Sequence, residues 1–189
     1  MINKNFLKQL NKNYKNHESE RRQIISLSNV ILHNSKRAIF SLHRGDIQKT
    51  KESLAEIEKL LKDLNKKFGL TRIEQEGSYR ASVEEYVEAK MFFNVVSGKK
   101  IDKFNDLDIS TEGYIGGLCD LTGELVRQAI NKASQGKIEE AKKAKQIIDD
   151  IMAELVEFDM TGYMRTKYDQ ARSNVKKIEQ IVYEISLRK

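Results

Sequence analysis

Two short stretches of this 189-residue chain carry side chains whose types and spacing could do chemistry. In EYVEA, residues 85 to 89, Glu85 and Glu88 are three apart and share one face of a helix. In DLTGEL, residues 120 to 125, Asp120 and Glu124 form a second carboxylate pair, at i and i+4. The first pair opens a stripe that turns apolar through Ala89, Phe92 and Val96, and Val83, Tyr86, Val87, Met91, Phe93 and Val95 fill the rest of that helix. A helix apolar nearly all round is a buried one, and buried carboxylates are costly unless something compensates them. Four converging carboxylates would repel strongly unless a cation sat among them. Their hard oxygen donors suit Mg²⁺, with Mn²⁺ as the alternative, and such an ion activates water and stabilises charge developing on a phosphodiester. The same spacing also allows acids that face solvent or pair with Lys and Arg, as most helix acids do. No His-Cys cluster for zinc, no Gly-rich phosphate loop after a strand and no Ser-His-Asp arrangement is identifiable.

The elements that must position these residues are helices. The chain has no Pro, no Trp and only 10 Gly, so long helices with short connections are expected. Periodicity predicts helices over about 20–44, 47–68, 79–96, 110–134, 137–158 and 163–187. Asp46 can cap the second, and Gly45, Gly69, Gly98, Gly136 and Gly162 mark the breaks. Within 110–134, Tyr114, Leu118, Leu121, Leu125 and Ala129 form a core face. Gly113, Gly116, Gly117, Asp120, Glu124, Arg127 and Asn131 form the other. Each interior glycine costs about 1 kcal/mol against Ala, which makes sense if another backbone or a ligand must come close. The 79–96 helix and the face Tyr168, Val175, Ile178, Ile181, Val182 and Ile185 offer more apolar surface than one bundle is expected to cover, which predicts self-association.

Charge is unevenly spread. Residues 1–51 hold 11 Lys or Arg against 3 acids, and the remaining 138 hold 23 against 25. Such an N-terminal excess suits a polyanion partner, or equally a solubilising tail on a helical protein. Arg22, Ser26, Asn29, His33, Lys36, Arg37 and Arg44 lie on one helix face, opposite Ile24, Leu27, Ile31, Ala38 and Leu42. The one cysteine, Cys119, excludes an internal disulfide and fits a reducing cytoplasm. No apolar run approaches a membrane span, and the Lys- and Asn-rich start lacks a signal-peptide core.

EEYVEA followed by an aromatic pair, then DLTGELVR about 35 residues on, resembles the translin and translin-associated factor X family. SKRAIFSLHR (35–44) is similar to the same family, and KYDQARSNVKKIEQIVYEISLR (167–188) is similar to its translin side. The resemblance covers most of the chain. It implies an all-α bundle of six to seven helices of the translin type, in one domain over 1–189, with 1–19 a flexible or partly helical basic N-terminus. It also implies binding of single-stranded RNA, with single-stranded DNA as a further ligand, and assembly into an octamer-like shell. The factor X branch is a Mg²⁺-dependent endoribonuclease, and its catalytic acids fall here on Glu85, Glu88, Asp120 and Glu124. All four are present, which favours the nuclease branch over the alternative, a non-catalytic nucleic-acid-binding shell with vestigial acids. On the nuclease reading the four acids hold the metal inside an enclosed shell that disfavours duplex RNA. Arg22, His33, Lys36, Arg37 and Arg44 hold the phosphates. Arg127 either neutralises Glu124, the preferred reading, or touches the scissile phosphate. His17, His33 and His43 read as surface or RNA-facing residues rather than catalysts. A short loop after the EYVEA helix, where the eukaryotic nuclease subunit has a longer insertion, suggests a single-gene homo-oligomer of archaeal type.

Overall fold

The computed structural model describes residues 2–187. Among these, seven helices and no strand form: α1 (Lys4–His43), α2 (Ile47–Phe68), α3 (Leu70–Ile73), α4 (Gly77–Val96), α5 (Thr111–Ser134), α6 (Ile138–Leu155) and α7 (Gly162–Ser186). The six long periodic segments are thus all helical, and one short turn of helix, α3, is added. α1 is longer than the periodicity suggested. The side-chain oxygen of Asn3 accepts from the amides of Asn5 and Phe6 and starts the helix. With neither Gly nor Pro before Gly45, nothing stops it. The basic N-terminus is therefore helical from Lys4 onward. At the other end, Gly45 takes φ 79°, a left-handed conformation that turns the chain, and Asp46 caps α2 by accepting from the Lys49 amide at 3.2 Å.

α4 is the centre of the bundle. It packs against α1 and α2 on one side and α5 on another, while α6 and α7 cover the far side of α5. Tyr86, Val87, Ala89 and Phe92 are fully buried within the single chain. The expectation that one subunit leaves the EYVEA helix partly uncovered is therefore corrected: three neighbouring helices suffice to enclose it. Uncovered apolar surface lies elsewhere, on Phe6, Leu7, Leu10 and Tyr14 of α1, on Val156 and Phe158 after α6, and on Tyr183 and Leu187 at the end of the chain. The segment between α4 and α5 lacks regular structure but is pinned, with Phe104 against the rings of Tyr86 and Tyr114 and its amide donating to the Tyr114 hydroxyl at 2.8 Å.

The glycines of α5 explain how α4 and α5 come so close. A Cβ on Gly117 would stand 2.6 Å from Val87 Cβ and 2.8 Å from the Glu84 carbonyl oxygen, and one on Gly116 would meet Glu84 Cδ at 2.8 Å. For Gly117 the close neighbours are Val87 and the α4 backbone, and for Gly116 they are side-chain atoms of Glu84. This contact sets Asp120 and Glu124, one and two turns further along α5, against the carboxylates of α4.

Candidate active site

Glu88 is the residue around which the site is organised. It is 8 % exposed, and its carboxyl makes no hydrogen bond or ion pair among the described residues. Burial, and then the nearby charges of Glu85, Asp120 and Glu124, push it up to about 9. The structure thus brings all four sequence-predicted acids into one electrostatic neighbourhood. Burial also raises Glu85 and Asp120, against the opposing pull of Lys36 on the first and Lys167 on the second.

Cations surround the other three acids. Lys36 Nζ lies 3.8 Å from Glu85 Oε2. Arg127 lies 3.5 Å from Glu124 Oε2, the neutralising arrangement expected for it. His43 Nε2 donates to that same Glu124 oxygen, with its ring packed 4.9 Å from that of Phe92. The His43 side chain is only 5 % exposed, so its reading as a surface residue is corrected: the α1 register turns it inward onto the acids. Lys167, from α7, bonds Asp120 Oδ2 and lies 3.0 Å from Glu84 Oε2, which also accepts from the Tyr163 hydroxyl at 2.7 Å. Burial alone would lower the Lys167 ammonium, but its bonds to Asp120 and Glu84 win and hold it above its usual range. Local spacing gave no sign of Lys167, Tyr163 or Glu84 as site residues. Two of them reach the acids from a helix far along the chain, although Lys167 does open one of the family-like stretches.

The arrangement has the donor chemistry for a hard divalent cation, yet is not a closed cage. Among the described residues no three His, Cys, Asp or Glu side chains are gathered closely enough to hold a metal ion as they stand. Each acid nevertheless keeps oxygen capacity that no protein group takes: Oε1 of Glu85, Oδ1 of Asp120, Oε1 of Glu124 and both oxygens of Glu88. The residues fit such an ion by type and by free oxygens.

The basic stripe divides in two. His33, Lys36, Arg37 and Arg44 line one groove of about 520 Å³ with Phe40, Ser41, Asp46 and Lys49. Arg22 is exposed on the same helix but lies outside this groove, about 16 Å back along α1 from His33. Arg127 belongs to the acidic cluster. His33 is exposed, as expected. Cys119 is buried, and burial pushes its thiol up to about 12, which fits an inert core residue.

A seven-helix bundle with paired acids across its central helices and a cationic groove on α1 defines the class. The Translin family model matches residues 19–189, and the chain belongs to the Translin family. An uncharacterized protein of the archaeon Methanocaldococcus jannaschii is 30 % identical over 167 residues, covering 86 % of this chain and 74 % of that protein. The translin-associated protein X homolog of Schizosaccharomyces pombe is 25 % identical over 191 residues, covering 90 % of this chain and 83 % of that one. Among solved structures, apo-NeC3PO superposes with a TM-score of 0.86 at 24 % identity over 98 % of both chains. AfC3PO in complex with duplex RNA superposes with a TM-score of 0.84 at 21 % identity over 97 % of both. These likenesses establish the fold. No helix among the described residues is long and apolar enough to cross a membrane.

Proposed function

We propose that this chain is a Mg²⁺-dependent endoribonuclease that cleaves single-stranded RNA within a homo-oligomeric shell. The observation that carries the reading is the crowding of Glu85, Glu88, Asp120 and Glu124, with Glu88 left unpartnered and driven toward its protonated form. A purely structural cluster of this burial would be expected to pair every acid with a cation. In this reading the four acids hold the ion, with Mn²⁺ able to replace Mg²⁺. When bound, the ion supplies Lewis-acid stabilisation of the phosphodiester and a water of lowered pKa.

The chain's own residues do the rest. His43 and Arg127 both hold the Oε2 oxygen of Glu124, and Lys167 holds Asp120. Preorganised carboxylates of this kind lower the cost of assembling the site. Lys36 spans the acids and the basic groove, so a strand whose phosphates lie on Lys36, Arg37 and Arg44 is led toward Glu85. Support for RNA as the ligand comes from family membership and from AfC3PO, which was solved with duplex RNA. That complex is also a reason to test duplex directly, since it weighs against a strict exclusion of duplex by this fold. The exposed apolar residues of α1 and α7 support self-association, and an octamer is the proposed count.

The test is incubation of end-labelled single-stranded and duplex RNA with the protein in Mg²⁺ or in EDTA. Cleavage of the single strand in Mg²⁺ alone is expected, and equal cleavage in EDTA overturns the metal-dependent reading. The second reading, a nucleic-acid-binding shell without catalysis, is favoured by the absence of a closed metal cage among the described residues. It predicts binding with no cleavage under either condition.

A further inference from the structure

On the outward face of α1 the residues one turn apart are His33, then Lys36 and Arg37, then Phe40, then Arg44. Four of these positions are basic or imidazole side chains suited to a polyanion. The fifth is a phenylalanine, 52 % exposed, that lines the same groove. Core packing does not explain it, because the inward face of this turn is supplied by Ala38, Ile39 and Leu42, all buried. The Arg44 guanidinium lies 5.7 Å from the ring centroid, within cation–π range, and steadies the ring from one side. One turn before Phe40 on α1, Lys36 reaches Glu85 of the acidic site at 3.8 Å.

We propose that Phe40 is a stacking platform for one nucleobase of a bound RNA strand, with Lys36, Arg37 and Arg44 holding the flanking phosphates. A flat apolar ring between cations suits a chain of alternating bases and phosphates better than it suits an apolar protein segment. An apolar protein segment would desolvate Arg37 and Arg44 without supplying counter-charge, whereas a nucleotide supplies both the phosphate and the π-face. Every base has such a face, so the platform grips without reading sequence. It also fixes the register of the strand, one nucleotide at Phe40 and the adjoining backbone led along Lys36 to the acids.

This inference rests on the RNA-binding reading above, and the experiment separates the two. Full-length wild type, Phe40→Ala, Phe40→Leu and Phe40→Tyr are titrated in EDTA against a labelled short oligouridine and against an abasic ribose-phosphate strand of the same length. Phe40→Ala is expected to weaken oligouridine binding roughly five- to a hundredfold. Phe40→Leu, which keeps apolar bulk but lacks the π-face, should lose most of that affinity, and Phe40→Tyr should restore it. The abasic strand and the salt dependence should be the same for all four proteins. Unchanged oligouridine binding in Phe40→Ala, an equal loss on the abasic strand, or full affinity in Phe40→Leu overturns the platform. A fall in assembly mass of Phe40→Ala by light scattering assigns the ring to a protein interface and overturns it too. Wild type that binds neither strand overturns the RNA reading itself.

Discussion

Replacing Glu88 by Gln should stabilise the metal-free protein, and only at neutral to alkaline pH. The carboxyl is pushed up to about 9 from an ordinary value of 4.5, so the folded chain keeps a proton that the unfolded chain releases. Below about 4.5 both states are protonated and the group has no pH-dependent effect. As pH rises from there toward 9, folding must take up the proton, and stability falls until both states are ionised. At pH 7 this costs ~3 kcal/mol. Glutamine keeps the shape of the side chain and does not ionise. No hydrogen bond is lost, since the carboxyl has none among the described residues, but the amide must itself be desolvated, which trims the gain to about 1–3 kcal/mol. For a chain of this length that is a rise in Tm of roughly 3–10 °C. The assay is thermal unfolding followed by circular dichroism, in EDTA, at equal protein concentration, at pH 5 and pH 8. Wild type and variant should melt nearly together at pH 5 and separate at pH 8 with the variant higher. A variant that melts below wild type at pH 8, or by the same margin at both pH values, would refute the account of a strained, unpartnered acid.

Other outcomes follow from the same geometry. Lys36→Ala with Arg37→Ala should weaken RNA binding to many sequences alike and flatten the salt dependence measured by filter binding, by about 1.4 in log–log slope if each touches one phosphate of the single strand. Gly117→Ala should cost about 1–3 kcal/mol in chemical denaturation, because its new Cβ would meet Val87 and the Glu84 carbonyl. Gly123→Ala, whose Cβ would meet only Asn174 Nδ2 at 3.5 Å, should be neutral or stabilising by up to about 1 kcal/mol. Light scattering coupled to size exclusion should give a mass several times the 21.9 kDa chain, and a stable monomer that still cleaves RNA would show that the shell is not needed.

The helices and the acid pairs were legible because both depend on local periodicity. A 3.6-residue repeat places Glu85 beside Glu88 and Asp120 beside Glu124 whatever the tertiary structure. Gly113, Gly116 and Gly117 signalled a close approach for a reason internal to helix energetics, and its partner proved to be α4, through Val83, Glu84 and Val87. What the sequence concealed was long-range. Lys167 and Tyr163 reach the acids from α7, and His43 turns inward by a register that only the α1–α4 packing decides. The full length of α1 was hidden for another cause. Residues 4–17 are exposed, and their short apolar repeat, Phe6, Leu10 and Tyr14, is set among Lys and Asn rather than within the buried stripe by which a core helix is recognised. The covering of α4 was misjudged because hydrophobicity counts faces, while the number of neighbouring helices is a property of topology.

The most direct test of the central claim is cleavage and binding of the same end-labelled single-stranded RNA by wild type and Asp120→Asn in Mg²⁺. Asparagine is nearly isosteric with Asp120 and removes one charged oxygen donor. The account predicts a fall in cleavage of a hundredfold or more, on the order of 3 kcal/mol in the barrier. Binding should be retained or tightened, because a negative charge near the phosphates is gone. Undiminished cleavage by Asp120→Asn, with binding intact, would contradict it.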